Sequence, residues 1–184
     1  MFDMTGTLHP QTHIAAAAMA STQVVLDRNP HVAPADCLPL LRASMQDSFG
    51  VHGAAGYSLM RDVLATGHRG VWPQLGVALD DALLTDVLDA FETTLVTVIE
   101  PYMSAIEVLA TIRAHGIATA IVSVNDEQLL QDCVDACGLR PYFDVVLSSE
   151  AARSCKPEPG MFELAMRALA VPAAAVMRTG ENAY

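Results

Sequence analysis

Apolar positions recur with a helical period through the first half of the chain and collapse into short strand-like runs in the second. The stretch DDALLTDVLDAFETTLVTVI shows the first pattern best. Its Leu83, Leu84, Val87, Leu88, Phe91, Leu95 and Val98 return every three or four residues, which makes one apolar helix face. HIAAAAMASTQVVLDR, closed by Asn29-Pro30, predicts another helix, and CLPLLRASMQDSF, after Pro34-Ala35-Asp36, predicts a third. Between Thr12 and Glu100 no run alternates convincingly as a strand would. The period changes after Pro101. A helix over 104–115 stops at Gly116, where a C-terminal glycine is expected. IATAIVS is short, apolar and β-branched, and Asn125-Asp126 bounds it. A helix over 127–137 ends at Gly138; FDVVLSS reads as a strand, PEPGMFELAMRALA as a helix and AAAVMRT as a last strand. Strands and helices alternating at such short intervals predict an α/β fold, a parallel sheet covered by helices.

Composition narrows the function classes. A chain of 184 residues has room for one ordinary core with a small appendage. Hydrophobic residues at 52% and charged residues at 17% describe a globular chain. The net charge of -11 argues against a nucleic-acid binder, because no basic stripe exists to neutralise phosphates. A small anionic substrate is still compatible, since one local site can be positive. Nine arginines against a single lysine, Lys156, together with the many alanines, hint at a bacterial source. No apolar run approaches the ~18 residues of a membrane span, and no basic-then-apolar leader opens the chain. No membrane partner is therefore expected, and cytoplasmic residence is. Cys133 and Cys137 share a helix face, but no second pair or nearby histidine completes a metal site. The four cysteines are read as free thiols.

Parallel sheets carry their chemistry beyond the carboxyl ends of the strands. Those ends supply Asp3, then Ser123, then Lys156 just beyond the third strand, then Gly180-Glu181. Each has a plain structural reading: a turn starter, a helix cap, a solvated cation, a frayed terminal acid. Together they are a nucleophile, a hydrogen-bond donor, a positive charge and a metal ligand, the set that phosphoryl transfer needs. His9, His13 and Arg28, near or in the entrance of the helical region, have two readings, substrate contacts or exposed polar residues, and the second is preferred.

FDMTGTL, IVSVN, CKPEPGMFELA and VMRTGENAY stand in an order that resembles the four motifs of the haloacid dehalogenase superfamily. The resemblance implies a Rossmann-like parallel-sheet core over 1–11 and 102–184, with an inserted all-α cap over 12–101. It implies a hydrolase acting on a small phosphorylated metabolite through an aspartyl-phosphate. Asp3 would be the nucleophile, with Thr5, Ser123 and Lys156 as the other catalytic residues. Ser123, Asn125 and Lys156 would bind the phosphate. Asp3, the Thr5 carbonyl and Glu181 would hold Mg²⁺. A haloacid-dehalogenase-type attack on a carbon–halogen bond is the alternative, and a catalytically impaired small-molecule binder is a third reading.

Three departures from the pattern change the expectation. Thr5 stands where the phosphatases of the family have a second aspartate, which protonates the leaving group and activates water. A threonine hydroxyl is too weakly acidic for either task, and lost general acid–base help lowers rates by about 10²–10⁴. Glu181 replaces the usual aspartate of the last motif, one methylene longer. The strand before Asp3 is reduced to Met1-Phe2, against a usual length of about five residues, so both ends of the chain read as clipped.

Overall fold

The computed structural model describes residues 1–54 and 57–180. In chain order its helices are α1 (Thr12–Arg28), α2 (Pro34–Ala54), α3 (Met60–Val71), α4 (Asp81–Val98), α5 (Met103–Ala114), α6 (Glu127–Ala136), the single turn α7 (Ser149–Ala152) and α8 (Gly160–Leu169). The strands are β1 (Ala120–Ser123) and β2 (Val145–Ser148). Two compact units result: Met1–His13 with Val96–Tyr184, and Ile14–Leu95.

The first unit is the α/β part. β1 and β2 run parallel, with Ala120 opposite Val145 and Ser123 opposite Ser148. Phe2 forms parallel bridges with Ile121 on one side and Thr179 on the other, so the sheet reads Thr179, Phe2, β1, β2. The short first strand is fully laddered. Phe2 N–H donates to Ala120 O at 2.8 Å, and Val122 N–H donates to Phe2 O at 2.9 Å. On the other edge Asp3 N–H donates to Thr179 O at 3.1 Å, and Thr179 N–H donates to Met1 O at 2.9 Å. Side chains alternate across the sheet. Met1, Ala120, Val122 and Leu147 pack with Met161 and Ala165 of α8 in one core. Phe2 meets Phe143 edge-on, with ring centroids 5.7 Å apart. Each large apolar side chain so buried contributes about 1.5–3 kcal/mol.

The last expected strand does not form. Ala173–Ala175 close a 3-10 turn behind Pro172, with Ala175 N–H on Pro172 O at 2.9 Å, and of the AAAVMRT run only Thr179 joins the sheet. Alanine has little β propensity, and the proline pre-sets the turn, so the pattern alone misled.

The second unit is all-helical. Val25, Leu26, Cys37, Leu41, Val71, Trp72, Leu83 and Val87 share its main core. α2 and α3 approach closely because Gly67 and Gly70 present no side chain: a Cβ at Gly67 would lie 2.4 Å from Met45 Sδ, and one at Gly70 2.5 Å from Ser44 Oγ. The freed space lets Ser44 Oγ donate to Gly67 O at 2.8 Å and Ser48 Oγ donate to Val63 O at 2.7 Å. Arg61 ties α3 to α4 through Asp89 and Glu92, each at 2.6 Å. Arg28 is exposed, as expected, and pairs with Asp86.

Inside this core Trp72 Nε1–H donates to His68 Nδ1 at 3.0 Å, and both residues are buried. Burial pulls His68 down from its ordinary value to about 4. An unfolded chain takes up this proton near pH 6.5, but the folded chain refuses it until about pH 4. Stability is therefore complete above pH 6.5 and falls as pH drops through that window, by about 3 kcal/mol from this residue. Urea unfolding at pH 7 and near pH 4 should show that loss in the wild-type chain. His68→Gln, which cannot titrate, should lack this component of the slope.

Candidate active site

Asp3 follows Phe2 at the end of the central strand, its own N–H still bonded to Thr179 O. Its Oδ1 accepts the N–H of Met4 at 2.8 Å, and its Oδ2 lies 2.7 Å from Lys156 Nζ. The pair is sheltered, with side-chain exposures of 28% for Asp3 and 10% for Lys156. Burial pulls the Lys156 ammonium below its ordinary value; the hydrogen bond and charge of Asp3 push back, and Arg178 pulls further down. Lys156 reaches the carboxylate from the loop before α8, through a cis Lys156-Pro157 peptide.

Ser123 closes β1 at the same end of the sheet and is buried. Among the described residues nothing hydrogen-bonds its hydroxyl. It does not cap α6, whose N-cap is Asp126. Asn125 is held in the loop: its Oδ1 accepts Asp126 N–H at 2.9 Å, while its backbone N–H and C=O both bond Ser149 Oγ at 3.0 Å. Ser148 caps α7 by accepting Ala151 N–H and donates to Glu127, and Glu150 accepts Glu127 N–H at 2.7 Å. These bonds clamp the loops after β1 and β2 to each other at the sheet's carboxyl end.

Gly180 runs level with Asp3, since Thr179 pairs with Phe2. A Cβ on Gly180 would sit 3.1 Å from Asp3 Cβ, so the absent side chain makes room for the carboxylate. Glu181 lies outside the described residues. Among the described residues no cluster of three acidic, histidine or cysteine side chains could hold a metal ion. Asp3 and the Thr5 carbonyl are nonetheless hard oxygen donors of the type Mg²⁺ takes, and Mg²⁺ commonly keeps several waters beside one or two carboxylates. The donor set fits in kind.

The sequence reading erred at His9. It is 1% exposed, not a surface residue. The turn that follows Asp3 reverses at Gly6, with φ of 75° and its N–H on His9 O at 2.7 Å, and this folds His9 back onto Thr5. Thr5 Oγ1 lies 3.2 Å from His9 Nε2, and His9 Nδ1 lies 3.0 Å from Pro10 O. The His13 ring stacks on His9 at 5.6 Å, and His13 is half-buried. Burial pulls His9 below its ordinary value, the Pro10 bond and Asp3 oppose this, and the charge of His13 adds to it. The four-residue spacing of Thr5 and His9 around a glycine turn was the available signal. The cysteines are free, and burial pushes Cys133 up to about 12 and Cys137 up to about 11.

A parallel α/β sheet with a carboxylate at the end of its central strand, a lysine bound to it and a serine one strand over defines a class of Rossmann-like hydrolase cores with an inserted helical region. A family model for haloacid dehalogenase-like hydrolases matches residues 1–180, and the chain belongs to that family. The (S)-2-haloacid dehalogenase of Xanthobacter autotrophicus is 31% identical over 110 residues, which are 60% of this chain and 41% of that protein. The pyrophosphatase PpaX of Halalkalibacterium halodurans is 28% identical over 86 residues, 47% of this chain and 40% of that one. The matched stretches thus span less than half the length of these curated relatives. Among solved structures, the L-2-haloacid dehalogenase RSc1362 superposes with a TM-score of 0.70 at 25% identity, covering 98% of this chain and 76% of that one.

Gly180→Ala should crowd Asp3 without touching the sheet ladder. The Asp3 carboxylate is expected to shift from its contact with Lys156, because an added methyl 3.1 Å from Asp3 Cβ must displace it. The melting temperature should stay close to wild type; the ¹⁵N–¹H resonances around Asp3 and a thermal melt check the two.

Proposed function

We propose that this chain is a hydrolase of a small phosphorylated metabolite, with Asp3 as the nucleophile that takes the phosphoryl group. The observation that carries the reading is the Asp3–Lys156 pair, 2.7 Å apart at the carboxyl end of the parallel sheet. Lys156 offsets the charge that the carboxylate and the arriving phosphoryl oxygens bring together. Ser123, with no described partner for its hydroxyl, hydrogen-bonds those oxygens; Asn125, whose backbone N–H and Oδ1 are engaged within the loop, lies at the same end. Asp3 and the Thr5 carbonyl would hold Mg²⁺, with Glu181 as a further ligand; when bound, the ion adds positive charge against the phosphoryl oxygens. Residues 12–101 serve as the cap that selects the substrate.

Thr5 restricts the substrate class. With no carboxylate at this position, the leaving group must depart without a donated proton. Acyl phosphates and activated esters meet that demand; phosphate esters of simple alcohols do not. A halide also leaves without a proton. This favours a second reading, displacement of halide from a 2-haloacid by Asp3, and the 31% identity to the Xanthobacter dehalogenase supports it.

Two assays separate the readings. The purified chain, and Asp3→Asn, are given acetyl phosphate or para-nitrophenyl phosphate with and without EDTA, and 2-chloropropionate under the same conditions. The first reading expects phosphate release that EDTA suppresses and Asp3→Asn abolishes, because an amide is no nucleophile. Halide release untouched by EDTA supports the second. Activity retained by Asp3→Asn would remove Asp3 from the chemistry in both.

Thr5→Asp restores the missing acid–base group. Phosphate-ester turnover is expected to rise at least about 10-fold, within the range such catalysis supplies. Steady-state rates with an alkyl phosphate, whose leaving group needs a proton, are the measurement.

A further inference from the structure

We propose that His9 is a positioning residue that sets the hydrogen-bond polarity of Thr5, so that the Thr5 oxygen offers lone pairs to the water that hydrolyses the aspartyl-phosphate. The inference rests on the phosphoryl reading above and adds a residue to it.

The polarity follows from two contacts. Pro10 O can only accept, so His9 Nδ1, 3.0 Å away, carries the hydrogen. In a neutral imidazole Nε2 is then an acceptor, and the hydroxyl of Thr5, 3.2 Å away, must be the donor. The hydroxyl has one hydrogen, and His9 takes it. Among the described residues no other group bonds Thr5 Oγ1, so its two lone pairs are what it can offer. The arrangement is held from several sides: Gly6 closes the turn, His9 is buried, and His13 from the first turn of α1 stacks on the ring at a 16° interplanar angle.

The polarity matters because a water attacking phosphorus uses an oxygen lone pair. A neighbour that donates to that water occupies a lone pair; a neighbour that accepts turns a hydrogen away and aims the oxygen. In the hydrolytic step the water oxygen forms a new P–O bond and the bond from phosphorus to Asp3 breaks. Its electron pair returns to the carboxylate, and the water proton leaves on the phosphate product. His9 supplies no proton; it fixes where one points.

The test uses the whole chain phosphorylated by acetyl phosphate in the presence of Mg²⁺, with formation and decay of the phospho-Asp3 species followed by intact mass after quenching. His9→Leu removes the acceptor and Thr5→Val removes the hydroxyl. His9→Leu should slow decay roughly 10-fold or more while leaving formation near the wild-type rate, and Thr5→Val should slow decay by a similar factor. The double variant should be no slower than either single one, because both remove the same contact. His9→Gln, whose amide oxygen can accept in place of Nε2, should decay close to wild type. A second readout needs no turnover: the ¹⁵N shifts of His9 should report the Nδ1–H tautomer, and Thr5→Val should move the Nε2 resonance. Phosphate that forms on Asp3 and decays equally fast in wild type and His9→Leu overturns this inference alone. So does a His9→Gln variant as slow as His9→Leu, which would require the imidazole itself. A wild-type chain that never carries phosphate overturns the phosphoryl reading along with it.

Discussion

The α/β unit depends on a central strand that is hardly more than one residue long. Phe2 is hydrogen-bonded on both sides, to β1 through Ala120 and Val122 and to the Thr179 segment through its neighbours Met1 and Asp3. Leaving such groups buried and unpaired would cost about 1–3 kcal/mol each, so the four bonds together outweigh the brevity of the strand. They also fix register. A slip of one residue would exchange the two faces, turning Met1 away from the α8 core and Phe2 away from Phe143. Asp3 would then enter the sheet instead of leaving it. The position of the carboxylate is thus a consequence of backbone pairing, before any side-chain interaction is counted.

Electrostatics act on that fixed point. The chain carries a net charge of -11, and a site for an anion needs its cation close and sheltered. Lys156 is the only lysine, and its ammonium reaches Asp3 with a tenth of its side chain exposed. Burial weakens the charged form, and the Asp3 carboxylate offsets part of that loss. Neither group is comfortable without the other. An ammonium has three hydrogens and spends one on Asp3, which leaves donors for oxygens arriving beside the carboxylate. The clamp between the β1 and β2 loops, through Ser149 and Glu150, keeps Ser123 and the Asn125 backbone at the same rim.

Much of this was legible in the sequence because it rests on periodicity and on one rule of parallel sheets. The helical runs ending at Arg28 and Val98, and the strands under IATAIVS and FDVVLSS, follow from apolar spacing and glycine stops. Asp3, Ser123 and Lys156 stand at or just beyond strand ends, where that rule points. The failures have physical causes. AAAVMRT has apolar content but little β preference, and a proline before three alanines made a turn of it. His9 is polar and two residues beyond a turn, features that predict exposure; only the folding-back of the Gly6 turn, a tertiary fact, buries it. The close approach of α2 and α3 at Gly67 and Gly70 is equally silent in a pattern of apolar positions, because it depends on side chains that are absent.

The departure at Thr5 is best understood with its partner in view. Read alone, a threonine in place of an aspartate subtracts an acid–base group. In the fold it is one half of a pair, its hydroxyl oxygen 3.2 Å from Nε2 of a buried imidazole whose other nitrogen lies 3.0 Å from Pro10 O. With threonine there, the site holds one sheltered ion pair, Asp3 with Lys156, and no second carboxylate beside it. Under the proposed chemistry this has a directional consequence. Catalytic power moves from the departure of the leaving group, which an acid would assist, to the approach of water, which an oriented acceptor assists. A chain so built favours substrates whose leaving groups go unaided, and the choice is made by a hydrogen bond four residues long in sequence.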